Sequence, residues 1–224
     1  MTAACMLLLS LLLQITAAAA QQSQLQQGIA EKVLRFHVLA NSDSEEDQRV
    51  KLLVRDGVLA YLLEQTEAEE AASVTGTTEV LSAAGRVERK EFTERTAEVE
   101  EKEKLRAYIR THLPELTDVA NQVLISENAD YRAEAVLEPC YFPERTYGAC
   151  TFPAGWYEAL RIRLGEAKGH NWWCVLFPRL CFADCMNAVV EEEQLQQLEE
   201  VLTVEEYDCL LQDPGQWRFT FRWF

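Results

Sequence analysis

Basic residues are scarce in this sequence, and none precedes Lys32. The 224 residues include 21 Lys and Arg against 37 Asp and Glu, which gives a formal net charge of −16. Because nucleic-acid phosphates bind clustered cations, this balance argues against a nucleic-acid partner, and it disfavours contact of the folded part with anionic membranes. Hydrophobic residues make up 48% of the chain, enough to bury a core, so the protein is not a disordered acidic tail.

Long apolar runs are also missing. Residues 6–15 form a short apolar block, Ala17–Ala20 follow, and a Gln-rich stretch begins at Gln21. Residues 1–20 are therefore predicted to be a signal peptide cleaved between Ala20 and Gln21, although the basic residues usual before such a block are absent. The alternative is an uncleaved N-terminal anchor, which the length barely permits. Both interpretations place the remainder outside the cytoplasm, and residues 21–32 are predicted to be a disordered lead-in.

Two chemical signatures are incomplete. The segment Gly165–Gly169 lacks the Ser or Thr that would open a helix in a phosphate-binding loop, so it predicts a tight turn between strands. His170, Cys174, Cys181 and Cys185 are the right ligand types for zinc, but they contain no Cys-x-x-Cys pair. We therefore expect no metal and no cofactor.

Six cysteines follow the N-terminal segment. An even set in an exported chain favours disulfides, and six cysteines allow about 15 connectivities. The preferred pairs are Cys140 with Cys150, Cys174 with Cys181, and Cys185 with Cys209. Each of the first two pairs brackets a proline-containing turn that can bring the two cysteines together.

The first half of the chain predicts one strand and several helices. Residues 33–40 alternate as a strand, with Leu34, Phe36 and Val38 on one face and Arg35, His37 and Leu39 on the other. Ser44 and Asp47 predict the start of a helix over residues 45–64. Residues 64–104 are rich in Glu and predict a solvent-facing arm of loop and helix. Another helix is predicted from Pro114 to about residue 127.

The second half predicts more strands. They cover residues 131–138, 157–164, 172–177 and 217–224, with helices predicted at 191–201 and 204–211. In the second of these strands, Leu160, Ile162 and Leu164 face away from Arg161 and Arg163. The fold class is therefore α+β, with helices packed on a mainly antiparallel sheet and a disulfide-stapled C-terminal half, and residues 33–224 form a single domain.

Adjacent tryptophans occupy one of these strands. Trp172 and Trp173 must point to opposite faces, so both cannot enter the same core. One of them is expected to be displayed as an anchor for a partner. Both are core residues if a second element covers the outer face.

An enzymatic interpretation uses His170 with Cys174, backed by His37 or Asp184, as the imidazole and thiolate of an exported cysteine hydrolase or peptidase. A nucleophilic cysteine must be free, and Cys174 has a predicted disulfide partner in Cys181. The structural interpretation is therefore preferred, and the hydrolase stays as the alternative.

Three runs together resemble the stage II sporulation protein R family of endospore-forming bacteria. They are LRFHVLANSDSEEDQRVKLLVRDGVL at 34–59, FPERTYG at 142–148 and PAGWYEALRIRLGEAKGHNWWCVLFPRLCF at 153–182. The resemblance implies a signalling protein with no chemistry of its own, secreted from the forespore into the space between the two membranes that separate it from the mother cell. There it activates a membrane-embedded aspartic protease, stage II sporulation protein GA, which processes the sigma-E precursor.

A binding role makes some side chains candidates for contact with that protease. His170, Asn171, Trp172 and Trp173 are the first candidates, and Tyr157 and Phe177 come next. No small-molecule substrate is expected, and the membrane is expected to be met only through the N-terminal segment.

Overall fold

The computed structural model describes residues 2–73, 88–182 and 192–211. The helices are α1 (Thr2–Lys32), α2 (Glu45–Ser73), α3 (Glu88–Thr111), α4 (Leu113–Ser126), α5 (Glu192–Val201) and α6 (Val204–Leu211). The strands are β1 (Leu34–Leu39), β2 (Ala133–Phe142), β3 (Arg145–Tyr147), β4 (Cys150–Phe152), β5 (Gly155–Leu164) and β6 (Asn171–Phe177). A short 3₁₀ turn covers Leu180–Phe182.

The central sheet has the strand order β2-β5-β1-β6, and β3 and β4 form a separate hairpin. Strand β1 pairs parallel with β5 and antiparallel with β6, whereas β2 pairs antiparallel with β5. The α+β class is confirmed, with a mixed sheet that is antiparallel in two of its pairings. The predicted strand at 217–224 and Cys185 lie outside the described residues.

One face of the sheet, the helical face, is covered by α2 and α4. It carries the predicted apolar row of β5, namely Leu160, Ile162 and Leu164, and these side chains are buried. Helix α4 packs against both α2 and β2. The predicted start of α2 is confirmed, because the Asp47 amide donates to Ser44 Oγ at 3.1 Å. Helix α2 continues to Ser73, beyond the predicted end at residue 64.

The other face, the second face, is covered by the described residues at one end. There the hairpin of β3 and β4 lies over β1 and β6, since the Tyr147 hydroxyl donates to the Trp173 carbonyl at 3.0 Å. All six residues of β1 are consequently buried. The predicted alternation is confirmed, with Arg35 and His37 on the face opposite Phe36, and both are buried because β1 lies inside the sheet with cover on both sides.

Residues 21–32 form the second half of α1, where the sequence predicted a disordered lead-in. Ile29 is 0% exposed, and Lys32 forms an ion pair with Glu206 of α6. At Gly28 a Cβ atom would overlap the Glu206 carboxylate, so glycine lets the two helices approach closely. The segment is polar in composition, so its apolar contact at Ile29 became visible only in the structure, where α1 meets α6 and β5.

The first half of α1 is exposed. Its apolar side chains, including Met6, Leu9 and Leu12, face solvent. In the ranges that the structure describes, no helix has both the length and the hydropathy needed to span a bilayer.

Both edges of the sheet are obstructed. On β2, the amides of Ala133 and Ala135 donate to Asn121 Oδ1 (2.9 Å) and Thr117 Oγ1 (3.0 Å) of α4. Pro139 follows on the same side of β2 and has no amide proton. On β6, the Trp173 carbonyl accepts from Tyr147. These contacts occupy several of the backbone groups that another strand would need.

The docking of α1 is testable with two substitutions in one helix. We expect Ile29→Ala to lower the free energy of unfolding by about 2–5 kcal/mol, because it leaves a cavity between α1 and the domain. Leu12→Ala, in the exposed half of α1, is the control and should change stability by less than about 0.5 kcal/mol. Urea unfolding of the full chain measures both, and equal stability of the two variants would show that α1 does not dock.

Candidate functional site

Two loops meet at one end of the sheet, next to the first residues of β6. The amides of Lys168 and Gly169 donate to the carbonyls of Asn41 (3.2 Å) and Ala40 (3.0 Å), and the Glu166 amide donates to Asn41 Oδ1 (2.9 Å). The predicted turn at Gly165–Gly169 is confirmed, but the strands that it joins are not neighbours. It crosses over the end of β1 and is fixed there by these bonds.

The place where these two loops meet is called the corner here, and Asp47 accepts several of its hydrogen bonds. Its carboxylate accepts from Asn41 Nδ2 (2.9 Å), the Ser42 hydroxyl and the Tyr131 hydroxyl (2.6 Å). Burial favours the protonated acid, but the bonds from Ser42, Tyr131 and Asn41 outweigh it and hold the pKa of Asp47 below its ordinary value. Asp47 therefore joins the start of α2 to Tyr131, two residues before β2, and fixes the two loops relative to each other.

His170 and Asn171 are exposed at this corner. The imidazole Nδ1 of His170 lies 2.6 Å from Asp43 Oδ1, and the His170 amide donates to the same oxygen at 2.6 Å. Lys51 Nζ donates to the His170 carbonyl at 3.1 Å. The backbone of His170 is thus fixed from two sides while its side chain remains accessible to a partner.

Trp172 and Trp173 point to opposite faces, as predicted. Both are partly buried, so neither is fully displayed and neither is fully core. Trp172 lies on the helical face, with its ring centroid 5.6 Å from that of Phe36 and with the Arg55 guanidinium 5.1 Å from its ring.

Trp173 covers His37 on the second face. The two rings are stacked, with centroids 3.7 Å apart and an interplanar angle of 14°. Phe142 meets the indole edge-to-face at 4.7 Å, and the Arg145 guanidinium carbon lies 5.7 Å from the indole centroid on the solvent side. The Trp173 ring therefore contacts buried His37 and Phe142 and also the exposed guanidinium of Arg145.

Tyr157 and Phe177 were expected to face a partner, and the structure corrects this. They are 1% and 3% exposed. The Tyr157 hydroxyl donates to the Pro153 carbonyl at 2.7 Å, next to the contact of α1 with β5. For Tyr157, the sequence could not reveal that α1 and the hairpin cover this end of the second face, and Phe177 pairs with buried Leu34 of β1.

The proposed pair of Cys174 and His170 is not brought together. Cys174 is fully buried on β6, whereas the His170 imidazole is exposed and contacts Asp43. Four residues along a strand span about 13 Å, far beyond the reach of proton transfer. Asp184, the third member of that interpretation, lies outside the described residues.

A different cysteine and histidine do meet inside the protein. Cys140 Sγ lies 3.8 Å from His37 Nδ1, and the two residues are distant in sequence, so no local signal could have paired them. Burial, followed by repulsion from Arg161, lowers the pKa of His37 to about 3, and burial raises the pKa of Cys140. A neutral imidazole beside a protonated thiol is a packing contact, because nucleophilic chemistry needs the thiolate.

The predicted disulfides have different outcomes. Cys140 and Cys150 are buried thiols in the structure, so the pairing predicted between them is not formed. Cys140 belongs to the central sheet, whereas Cys150 belongs to the hairpin. Cys174 Sγ and Cys181 Sγ both lie near the Val175 carbonyl oxygen, at 3.8 Å and 2.8 Å, so their pairing stays a prediction.

The pairing of Cys185 with Cys209 also stays a prediction, because Cys185 lies outside the described residues. Cys209 is half-buried on α6. Among the residues that the structure describes, no group of three or more metal-ligating side chains comes together.

Two features escaped the sequence interpretation. Arg35 is fully buried, with its guanidinium carbon 4.4 Å from the Phe142 ring centroid and its Nε donating to the Cys174 carbonyl at 3.0 Å. Tyr141 and Trp156 form an exposed cross-strand pair, 52% and 65% accessible. The predicted strand began at residue 157, whereas β5 begins at Gly155. A strand predicted from residue 155 would have placed Trp156 on the face opposite to Tyr157.

The burial of His37 predicts a pH dependence of stability. Its pKa is about 3 in the folded protein against 6.5 ordinarily, so between these values the unfolded chain binds more protons. The free energy of unfolding should therefore fall as the pH falls below about 6.5, by at most about 1.4 kcal/mol per pH unit. Urea unfolding at about pH 7 and about pH 5, where most carboxylates stay ionised, measures this loss.

His37→Phe is the control for that measurement, because a phenyl ring can stack on Trp173 and does not titrate. We expect this variant to lose less stability between the two pH values than the wild-type protein. An identical loss in both proteins would assign the pH dependence to other groups.

Comparisons with known proteins agree with the sequence resemblance. The family described as stage II sporulation protein R matches residues 30–89 and 85–187. Stage II sporulation protein R of Bacillus subtilis (strain 168) is 34% identical over 166 residues, which are 74% of this chain and 61% of that protein. The chain thus aligns with less than two thirds of that relative's length, and no solved structure matches it. From the end of α1 through β6, the matched region contains the whole central sheet, and the chain belongs to the stage II sporulation protein R family.

Proposed function

We propose that this protein is an exported sporulation signal that activates the membrane-embedded aspartic protease, stage II sporulation protein GA, in the sigma-E pathway. The observation that carries the proposal is the family match over residues 30–89 and 85–187. The protein acts by contact, and the protease cleaves the pro-sequence of the sigma-E precursor on the mother-cell side.

The proposed location is the space between the forespore and mother-cell membranes. The exposed apolar half of α1 supports export, since it offers a signal peptide that makes little contact with the domain. Cleavage between Ala20 and Gln21 would leave Ile29 and Lys32 in place, so the mature domain would keep its docked helix.

The proposed contact region is the start of β6. His170 and Asn171 are exposed there, and Trp172 and Trp173 each show part of an indole ring. The bonds at the corner hold this region in one conformation before the partner arrives, which reduces the entropy lost on association. Aromatic and amide side chains on a rigid frame suit a protein partner.

The alternative, an exported cysteine hydrolase, has less support. Its cysteine is buried and its histidine lies at the surface, bound to Asp43. The buried pair of His37 and Cys140 is in the wrong protonation state for a nucleophile. A contact-dependent activator needs neither pair.

The proposal is tested by deleting the gene and following the sigma-E precursor by immunoblotting in sporulating cells. We expect the precursor to accumulate. In a complemented strain, Trp173→Ala and Trp172→Ala should each abolish processing while secretion of the protein stays normal, because each removes an aromatic contact surface.

Trp156→Ala is the matched control, since it removes an exposed tryptophan from the same sheet, away from the start of β6. It should leave processing unchanged. Normal processing in the deletion strain would sink the proposed function, whereas normal processing with both Trp172→Ala and Trp173→Ala would remove only this contact region.

A further inference from the structure

Where the hairpin ends, none of the elements that the structure describes covers the second face of the sheet. Val136, between two glutamates on β2, is only partly buried there. We call this surface the open face and define it by six residues: Glu134, Glu138, Arg145, Arg161, Arg163 and Trp173.

Two arginines of the open face are neutralised within it. Glu138 Oε1 accepts from both Arg161 and Arg163, and Arg163 also pairs with Glu134 at 3.2 Å. This ladder fixes the side chains across β2 and β5. The two arginines and two glutamates of the ladder have no net charge together. The ladder therefore makes the open face polar and ordered without adding to its charge.

Arg145 is the unneutralised cation of the open face. It is exposed on β3, with its guanidinium over the Trp173 indole, and it has no ion pair with any residue that the structure describes. The open face thus has three arginines and two glutamates, in a chain whose net charge is −16. A free guanidinium beside a partly exposed indole is a favourable combination for protein binding, since Arg and Trp dominate interface energetics.

The edge strands of the sheet, β2 and β6, are poorly suited to pairing with a strand of a partner. Addition of a strand to β2 is obstructed by Asn121, Thr117 and Pro139, and on β6 the Trp173 carbonyl already accepts from Tyr147. These obstructions favour docking on a face of the sheet over addition of a strand. The helical face is largely covered by α2 and α4, apart from the exposed part of Trp172 at the start of β6, so among the described residues the open face is where the sheet is left uncovered.

We propose that the open face is the docking surface for an acidic segment of a protein partner. A carboxylate of that segment pairs with Arg145, in the bidentate geometry that a guanidinium favours, and a neighbouring apolar side chain rests on Trp173. This inference rests on the proposed function and deepens it, because it assigns an acidic contact segment to the protein that is activated.

A charge reversal tests the surface in sporulating cells. Arg145→Glu should lower processing of the sigma-E precursor by about tenfold or more, because it places a carboxylate against the acidic segment. Lys104→Glu is the matched control, since it makes the same charge change at an exposed site on α3, and it should leave processing unchanged. Both variants should be secreted normally and should unfold at the wild-type temperature.

Crosslinking tests the chemistry of the partner. A photoreactive residue at Thr146, next to Arg145 on β3, is activated in sporulating cells, and the attached peptide is sequenced by mass spectrometry. We expect a segment rich in Asp and Glu, with the crosslink lost in Arg145→Glu. Crosslinks to lipid, to residues 212–224 of this chain, or to a segment without acidic residues would overturn the proposal.

The two experiments separate this inference from the proposed function. Wild-type processing with Arg145→Glu, in a strain whose gene deletion blocks processing, overturns the docking surface and leaves the function standing. An Arg145-dependent crosslink to an acidic segment of a protein other than the protease overturns the function and leaves the docking surface standing.

Discussion

The buried guanidinium of Arg35 is the interaction on which the rest of the structure depends. It lies 4.4 Å from the ring centroid of Phe142 and 5.1 Å from that of Phe152, and it donates to the Cys174 carbonyl and the Tyr147 hydroxyl. Among the described residues no carboxylate pairs with it. Aromatic faces and two oxygen acceptors therefore offset the desolvation of this charge, which would be costly without them.

The cage around Arg35 determines which parts of the sheet a partner can meet. It holds the hairpin of β3 and β4 on one end of the second face, where His37 and Tyr157 are buried. Beyond the hairpin no described element covers this face, and Trp173 lies at the boundary. The same cation thus stabilises the covered end and, through the hairpin, positions Arg145 over the indole of Trp173.

The chemistry of the described residues favours contact over catalysis. His37 is neutral and packed between Trp173 and Phe142, and Cys140 beside it is protonated. The surface residue His170 is bound to Asp43 at a corner fixed by Asp47. The buried thiol and imidazole are thus in the wrong protonation states for nucleophilic chemistry, whereas His170 is held at the surface by Asp43, as the proposed binding role requires.

The sequence by itself determined the local elements, because their signals are short-range: the alternation of Leu160, Ile162 and Leu164 on β5, the cap at Ser44, and the opposite directions of Trp172 and Trp173. The tertiary structure alone decided what covers each face. Residues 21–32 form a docked helix, and β1 is buried on both sides. The physical reason is that burial of a polar or aromatic side chain depends on elements distant in sequence, and periodicity carries no information about them.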